Sequence, residues 1–492
     1  MKFYPTGVDF RPDSKRVVVR PFISLDPTRV EHIITRALSL SEAETKEQLA
    51  HLQADFGGRH IDLEKSCLRH YEKVSSQVPD SAALSKPRRL FIGALFSGEY
   101  ALESAALFNP SIVPHPDQSG LAEDDLRFIL SLRATGEGHI SSIQFRTGVI
   151  HRDHSIEMEK VTPFVILPEI NPNPTFHKAT FLHKLDEMGL QNNWAESVMG
   201  RLGKTFTLRA LNDSIQQAPP AEAALPPRGM QRTTECMRWL AESNYEIYFA
   251  ESSAVSERII FPVSPNESNG IEDARFVRLV DDDGSVTYCA TYTAYNGRVI
   301  LPQLIETTDF LHFRVLTLNG RAVQNKGMAL FPRRIHGRYA MLSRQDDENQ
   351  FLMFSDNSHF WSDPQLLQGP RQPWEFVKVG NCGSPIETEA GWLVITHGVG
   401  PMRKYCIGAI LLDLDDPSRV IGRLDEPLLK PEGTGREGYV PNVVYSCGSL
   451  IHQGRLIIPY GLSDSASTIV EFELSDLLAA LLSTGVTPEI AG

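Results

Sequence analysis

The sequence predicts a mainly β, propeller-type fold with a helical N-terminal extension and a helical insertion. Three observations carry this. From about Leu90 onward, short runs rich in β-branched and aromatic residues, such as RFILSL, SSIQFR and TPFVILP, are bounded by Gly, Pro, Asp and Asn, which is strand texture. Between Ile259 and Glu473, turn-linked groups of such runs recur at roughly 50 to 60 residues, the spacing of propeller blades. Two stretches, residues 25–85 and Thr175–Glu251, instead place apolar residues three and four apart among charged ones, the pattern of amphipathic helices.

In chain order, residues 1–100 form the helical extension and 101–475 the β domain. The helical insertion falls at about 175–250, and 476–492 is a C-terminal tail. Within the insertion, QQAPPAEAALPPRG reads as a mobile linker because its Pro and Ala content suits a loop rather than a core. The repeat is one of texture, not of identity. WSDPQLL (361–367) and DLDDPSRVIGRLDEPLL (413–429) both set an Asp-Pro turn beside an apolar strand, as one blade-edge device used twice.

A chain of 492 residues with 41% hydrophobic and 22% charged residues has ample material for a folded core. Its net charge of -13 disfavours nucleic acid or an anionic membrane as the main partner, since phosphate backbones are held by basic patches. The sequence carries no run of about 18 apolar residues and no signal-peptide pattern at its start, so a cytoplasmic protein is expected. Six cysteines (67, 236, 289, 382, 406 and 447) without a CxxC pair read as buried thiols. Cys67 and His70 share a helical face near His60, but no further donor completes a tetrahedral set, so no metal site is expected.

The chemistry-bearing candidates are few. NGIEDARF (Asn269–Phe276) presents Glu272 and Asp273 at the start of a strand, where alternation lets only one face a shared site; the other would tie down the loop or pair with Arg275. Lys326, Arg344, Lys378 and His397 each stand at the end of an apolar run, where a blade strand opens towards a central channel. Read as cations, they would suit an oxyanion such as phosphate. Four unrelated surface residues remain the alternative. Arg133, followed by Gly136 and Gly138, is either a ligand clamp or a turn-adjacent arginine.

In order, FNPSIVP, the run carrying Arg133, GIEDARF, NKGMALFPRRIHGRYAMLSR, KVGNCGSPIETEAGWLVITHGV, IGAILLDLDDPSRVIGR and YVPNVVYSCG resemble glycoside hydrolase family 130, the β-mannoside phosphorylases and related β-mannosidases. The likeness spans about residues 105–465 without the insertion. It implies a five-bladed β-propeller with the active site in its central depression. Asp273 would be the catalytic proton donor, its pKa raised by burial so that it is held protonated. Lys326, Arg344, Lys378 and His397 would bind phosphate, and Asn109, Arg133 and Asp464 would contact sugar or phosphate. Ala274 departs from the family's usual Pro, and Lys326 stands where many members have Arg.

The implied reaction is inverting phosphorolysis of a β-mannoside oligosaccharide to α-mannose 1-phosphate, with inorganic phosphate as co-substrate and no cofactor. A β-mannosidase using Glu387 or Glu389, and a non-catalytic sugar-binding propeller, are the alternatives. The helical segments would either wall the acceptor end of the site or form an oligomer contact.

Overall fold

A computed structural model of the protein describes residues 2–171, 173–219, 225–297 and 300–483. Five antiparallel sheets dominate it, and they follow one another along the chain. The first is built on Ala106–Pro114, Leu126–Thr135 and Ser141–Ile150, the second on Ile271–Val280, Val286–Tyr295, Ile300–Thr307 and His312–Thr317. The third comprises Ala329–Leu330, Tyr339–Ser343, Gln350–Ser355 and Gln365–Gln368, and the fourth Lys378–Asn381, Gly391–Val399, Tyr405–Leu412 and Val420–Arg423. The fifth contains Val444–Tyr445, Arg455–Leu462 and Ala466–Glu473, and its edge is completed by Phe3–Phe10.

That last pairing corrects the expectation that residues 1–100 are helical throughout. Phe3 lies opposite Phe472 and Phe10 opposite Ser467, so the two ends of the chain share one sheet. Alternating exposure along FYPTGVDF, a period-2 pattern, is the sequence trace of this strand. Helices do follow, at Pro27–Ser39, Glu42–Phe56, Leu63–Val74 and Lys86–Leu95. The second of them is started by a capping box between Ser41 and Glu44.

Each sheet buries its faces against a neighbour through a separate apolar cluster. Val113 and Phe145 of the first sheet meet Phe276 and Phe313 of the second. Leu279 of the second meets Met341 of the third, and Leu342 of the third meets Trp392 of the fourth. Leu393 of the fourth meets Leu456 of the fifth, and Ile457 of the fifth returns to Leu107 and Leu130 of the first. At Phe145 the rings of Phe276 and Phe310 stand edge-on at 6.0 and 5.7 Å. Truncation there to Ala should cost about 3–5 kcal/mol.

Both Asp-Pro turns lead into the outer strand of a sheet, Asp363-Pro364 before Gln365–Gln368 and Asp416-Pro417 before Val420–Arg423. Between the first two sheets lie four helices, Lys178–Glu187, Asn193–Gly200, Leu208–Gln217 and Pro227–Glu242, around their own core of Phe181, Trp194, Leu211 and Met237. Residues 220–224 of the expected linker, and 484–492 of the expected tail, lie outside the described residues; Leu474–Ser483 is a helix packed on the fourth and fifth sheets. Among the described residues no helix is long and apolar enough to cross a membrane.

Candidate active site

Strands of the sheets and the turns that join them deliver polar side chains to one cavity of about 200 Å³, lined by Asn109, Arg133, Glu272, Asp273, Lys326, Arg344, His397, Arg403, Tyr405, Tyr445 and Asp464 with two valines. Seven of the eight residues expected from the sequence are therefore brought together. Lys378 stands one link away, its Nζ at 3.0 and 3.1 Å from the carboxylate of Asp347, which also pairs with Arg344 Nη2 at 3.2 Å.

The strand carrying Asp273 is not regular. Glu272 lies opposite Thr293 and Arg275 opposite Thr291, so an extra residue bulges between them, and Asp273 takes a left-handed φ of 54°. This overturns the expected alternation: both Glu272 and Asp273 line the cavity, and Arg133 binds both. Its Nη2 lies 2.8 Å from Glu272 and its Nη1 3.3 Å from Asp273. Arg275 turns instead to the backbone, donating to the Asp273 carbonyl at 3.0 Å and to the Tyr445 hydroxyl at 2.7 Å.

The first sheet repeats the device. Its register shifts between Phe108 and Ser111, and Asn109 sits there with φ 50°, donating through Nδ2 to Asp273 Oδ1 at 2.7 Å. Asp464, at φ 51°, adds a third left-handed residue. Short polar side chains tolerate this conformation, yet each costs free energy that the surrounding sheets must offset. Such clustering is characteristic of functional sites.

Electrostatics separate the carboxylates. Burial pushes the Asp273 carboxyl up, but Arg133, Arg275, Lys326 and the Asn109 hydrogen bond together outweigh it and bring its pKa down to about 2. The expectation of a proton held by burial is thus corrected: the cations win and Asp273 is ionised. Asp464 goes the other way, to about 6, through burial first and the charge of Asp273 second. The two titrate as interacting groups, and near neutrality it is Asp464 that retains proton affinity.

His397 needs a second correction, because it is no cation here. Burial, then Arg344 and Arg275, hold its pKa well below the usual value. Nδ1 lies 3.0 Å from the Asn381 carbonyl, which can only accept, so Nδ1 carries the proton and Nε2 accepts from Arg344 Nη1 at 3.3 Å. The imidazole orients the guanidinium. Lys326 pairs with Glu272 at 3.6 Å. Buried polar atoms without partners point to a ligand: Asn109 Oδ1, Arg133 Nε and Arg344 Nε are all unsatisfied.

Glu387 does not line the cavity; it is held by Arg333 at 2.6 and 2.7 Å, and Glu389 is exposed. Sequence reasoning missed Arg403, Tyr405 and Tyr445. Arg403 follows Met402, both left-handed at φ 56° and 60°, with Met402 92% exposed at the cavity mouth. Tyr445 falls inside a recognised motif and was overlooked because an aromatic at the end of an apolar strand reads as core. Tyr439 lies tilted against His139, with ring centroids 5.4 Å apart and its hydroxyl 3.2 Å from Nδ1.

Fold and site together describe a mainly β protein with a polar cavity lined by both basic and acidic side chains, and comparison with known proteins makes its class specific. Residues 245–482 match the glycoside hydrolase family 130 model, described as β-1,4-mannooligosaccharide phosphorylase. A 1,2-β-oligomannan phosphorylase from a Thermoanaerobacter species is 36% identical over 228 residues, 45% of this chain and 75% of that one. A β-1,4-mannooligosaccharide phosphorylase from Ruminococcus albus is 30% identical over 45% of this chain and 70% of its own. For a β-1,2-mannobiose phosphorylase from Listeria innocua the identity is 30%, covering 45% and 63%. The solved structure of the Listeria protein with β-1,2-mannobiose aligns with a TM-score of 0.46 at 20% identity, covering 78% of this chain and 93% of that one. The chain belongs to glycoside hydrolase family 130, and with it to the enzymes rather than the binding modules.

Proposed function

We propose that the protein is a β-mannoside phosphorylase that transfers a mannosyl group to inorganic phosphate with inversion, giving α-mannose 1-phosphate, on a five-bladed propeller whose blades are the five sheets. The return of apolar contacts from the fifth sheet to the first supports closure of the ring, and the N-terminal strand on the fifth blade would latch it. Residues 101–475 would form this catalytic domain, with the four helices as its insertion.

The observation that carries the functional reading is the meeting of Asp273 with Lys326, Arg344 and His397 in a single cavity. Phosphate would be held by Arg344 and Lys326, with Lys378 swinging in from Asp347 and His397 setting the arginine. Asn109, Arg133 and Asp464 would meet the sugar; the unsatisfied Asn109 Oδ1 is ready to accept from a hydroxyl.

The depressed pKa of Asp273 fits an acid that is loaded by its substrate. One negative charge arriving about 5 Å away at an effective dielectric near 20 disfavours the carboxylate by about 3 kcal/mol, roughly a hundredfold in its protonation equilibrium. Phosphate binding would also draw off the cations that hold Asp273 ionised. Asp273 then gives its proton to the glycosidic oxygen as the C1–O bond breaks. Hydrogen phosphate attacks C1 from the opposite face, and its proton returns to Asp273. Four relatives of 30–36% identity are β-1,2- and β-1,4-mannoside phosphorylases, which supports the mannosyl class.

The second reading, a β-mannosidase, gains from Glu272, a second carboxylate inside the cavity that could activate water. Incubation with β-1,2- and β-1,4-mannobiose, with and without phosphate, separates the two. We expect strictly phosphate-dependent release of mannose 1-phosphate; equal release of free mannose without phosphate would make the enzyme a hydrolase.

A further inference from the structure

A cavity of about 450 Å³, larger than the catalytic one and sharing no residue with it, opens where the first helix of the insertion meets the 355–363 loop of the third sheet. Its size falls within the range of small-molecule sites, roughly 300–1,000 Å³.

The site is built rather than incidental. Asn319 forms its floor at 2% exposure. Its Nδ2 donates to the His359 and Thr317 carbonyls at 3.1 and 3.2 Å, which leaves Oδ1 buried with no partner. The helical wall is fixed beside that floor, because Lys184 Nζ donates to the Leu318 carbonyl at 3.1 Å and pairs with Glu187 at 3.0 Å. His183 on the same helix stands edge-on against Phe360 at 4.3 Å. Across the cavity Arg338 covers Phe354, 5.7 Å from its ring centre, and pairs with Asp356 at 3.4 Å. Asp363 carries no hydrogen bond or ion pair among the described residues.

The lining selects the ligand chemistry. Arg338 and Asp356 cancel, and the remaining Asp363 charge repels a phosphate or carboxylate. An apolar ligand would strand Asn319, Asp363 and the neighbouring hydroxyls without partners. Two phenyl rings with a rim of amide, carboxylate and hydroxyl groups suit a neutral ring that is apolar on its faces and rich in hydroxyls at its edge.

We propose that this cavity is a second, non-catalytic binding site for a hexosyl unit of a mannooligosaccharide, which tethers longer chains to the enzyme. The oligosaccharide class rests on the proposed function. Tethering raises the local concentration of chain ends at the catalytic cavity without any new contact there. The wall lies in the insertion, outside the part of the chain that matches the family model, so the site would be a property of this chain.

Calorimetric titration with β-mannotriose in phosphate-free buffer, for the parent protein and for Phe360→Ala and Asp363→Asn, tests this, alongside phosphorolysis of mannobiose and of a mannohexaose. We expect two sites in the parent and one in each variant, unchanged kinetics on mannobiose, and at least a threefold rise in KM for the hexaose. Asp363→Asn keeps the shape of an exposed side chain and so guards against a fold defect in Phe360→Ala. A single site in the parent, or two sites and an unchanged hexaose KM in both variants, would overturn the inference. Absence of phosphorolysis with the second titration retained and lost in the variants would sink the proposed reaction while leaving this sugar site standing.

Discussion

The two halves of the catalytic cavity are made by opposite means. On the side of the first, second and fifth sheets, Asn109, Asp273 and Asp464 all sit on left-handed backbone, and Asp273 is held by Asn109 at 2.7 Å and by Arg133 at 3.3 Å. On the side of the third and fourth sheets, where Asn325, Asp347 and Arg403 are left-handed as well, Lys326 and Arg344 reach the site on long side chains paired with Glu272 and Asp347, carboxylates that a ligand could displace, and Lys378 waits behind on Asp347. A donor must be placed to within a fraction of an ångström of the bond it breaks, so the acid sits on a short side chain held by direct contacts. An anion-binding half needs charge more than position, and flexible side chains serve.

The sharpest way to break this contrast is at its rigid side. Asp273→Asn keeps the Asn109 contact but removes the transferable proton, and kcat should fall by about 10³–10⁴-fold with little change in KM. A fall of less than tenfold, measured on mannobiose with phosphate, would mean the acid lies elsewhere. On the flexible side, Arg344→Ala should act chiefly through phosphate, raising its KM and lowering kcat/KM by about 10²-fold. Arg344→Lys should recover only part of this, because a point charge cannot replace the fork that His397 orients. Equal losses in phosphate and sugar KM would dissolve the distinction between the halves.

How far the sequence reveals this division depends on which residues carry it. The strand texture, the two Asp-Pro turns and the order of motifs follow from local chemistry, and the clustering of Asp273 with Arg344 could be read from strand ends. The bulges could not. FNPS and IEDA look like ordinary strand starts, and only pairing partners a whole strand away show that Asn109 and Asp273 are each the extra residue. Once the bulge is known, Pro110 in the first sheet and Ala274 in the second occupy equivalent places. The charge states were hidden for a similar reason: burial is visible in hydrophobic flanks, whereas the depression of Asp273 depends on Arg133 and Lys326 from two distant segments as well as on Arg275 of its own strand. Phe3–Phe10 was taken into the helical extension because its partner lies more than 450 residues away in sequence.

Asp464 sharpens the comparison through stability. Its folded pKa near 6 lies above that of the unfolded chain, so its contribution to stability is fully present below about pH 4, fades between 4 and 6, and above 6 leaves a cost of at most about 3 kcal/mol. Asp464→Asn should therefore raise the thermal midpoint at pH 7 and leave it unchanged at pH 4, while weakening turnover. A gain of the same size at both pH values would mean that packing, not charge, limits that position.

The smallest effect probes the flexible half directly. Asp347 holds Arg344 and Lys378 at once while half-exposed at 52%, so phosphate must compete with it for both cations. Such a pair is worth about 1 kcal/mol at most in contact with water. Asp347→Asn should lower the KM for phosphate by about two- to fivefold and leave the KM for mannoside alone. If the phosphate KM rises instead, Asp347 is aiming the two cations rather than occupying them, and the basic half is as pre-set as the acidic one.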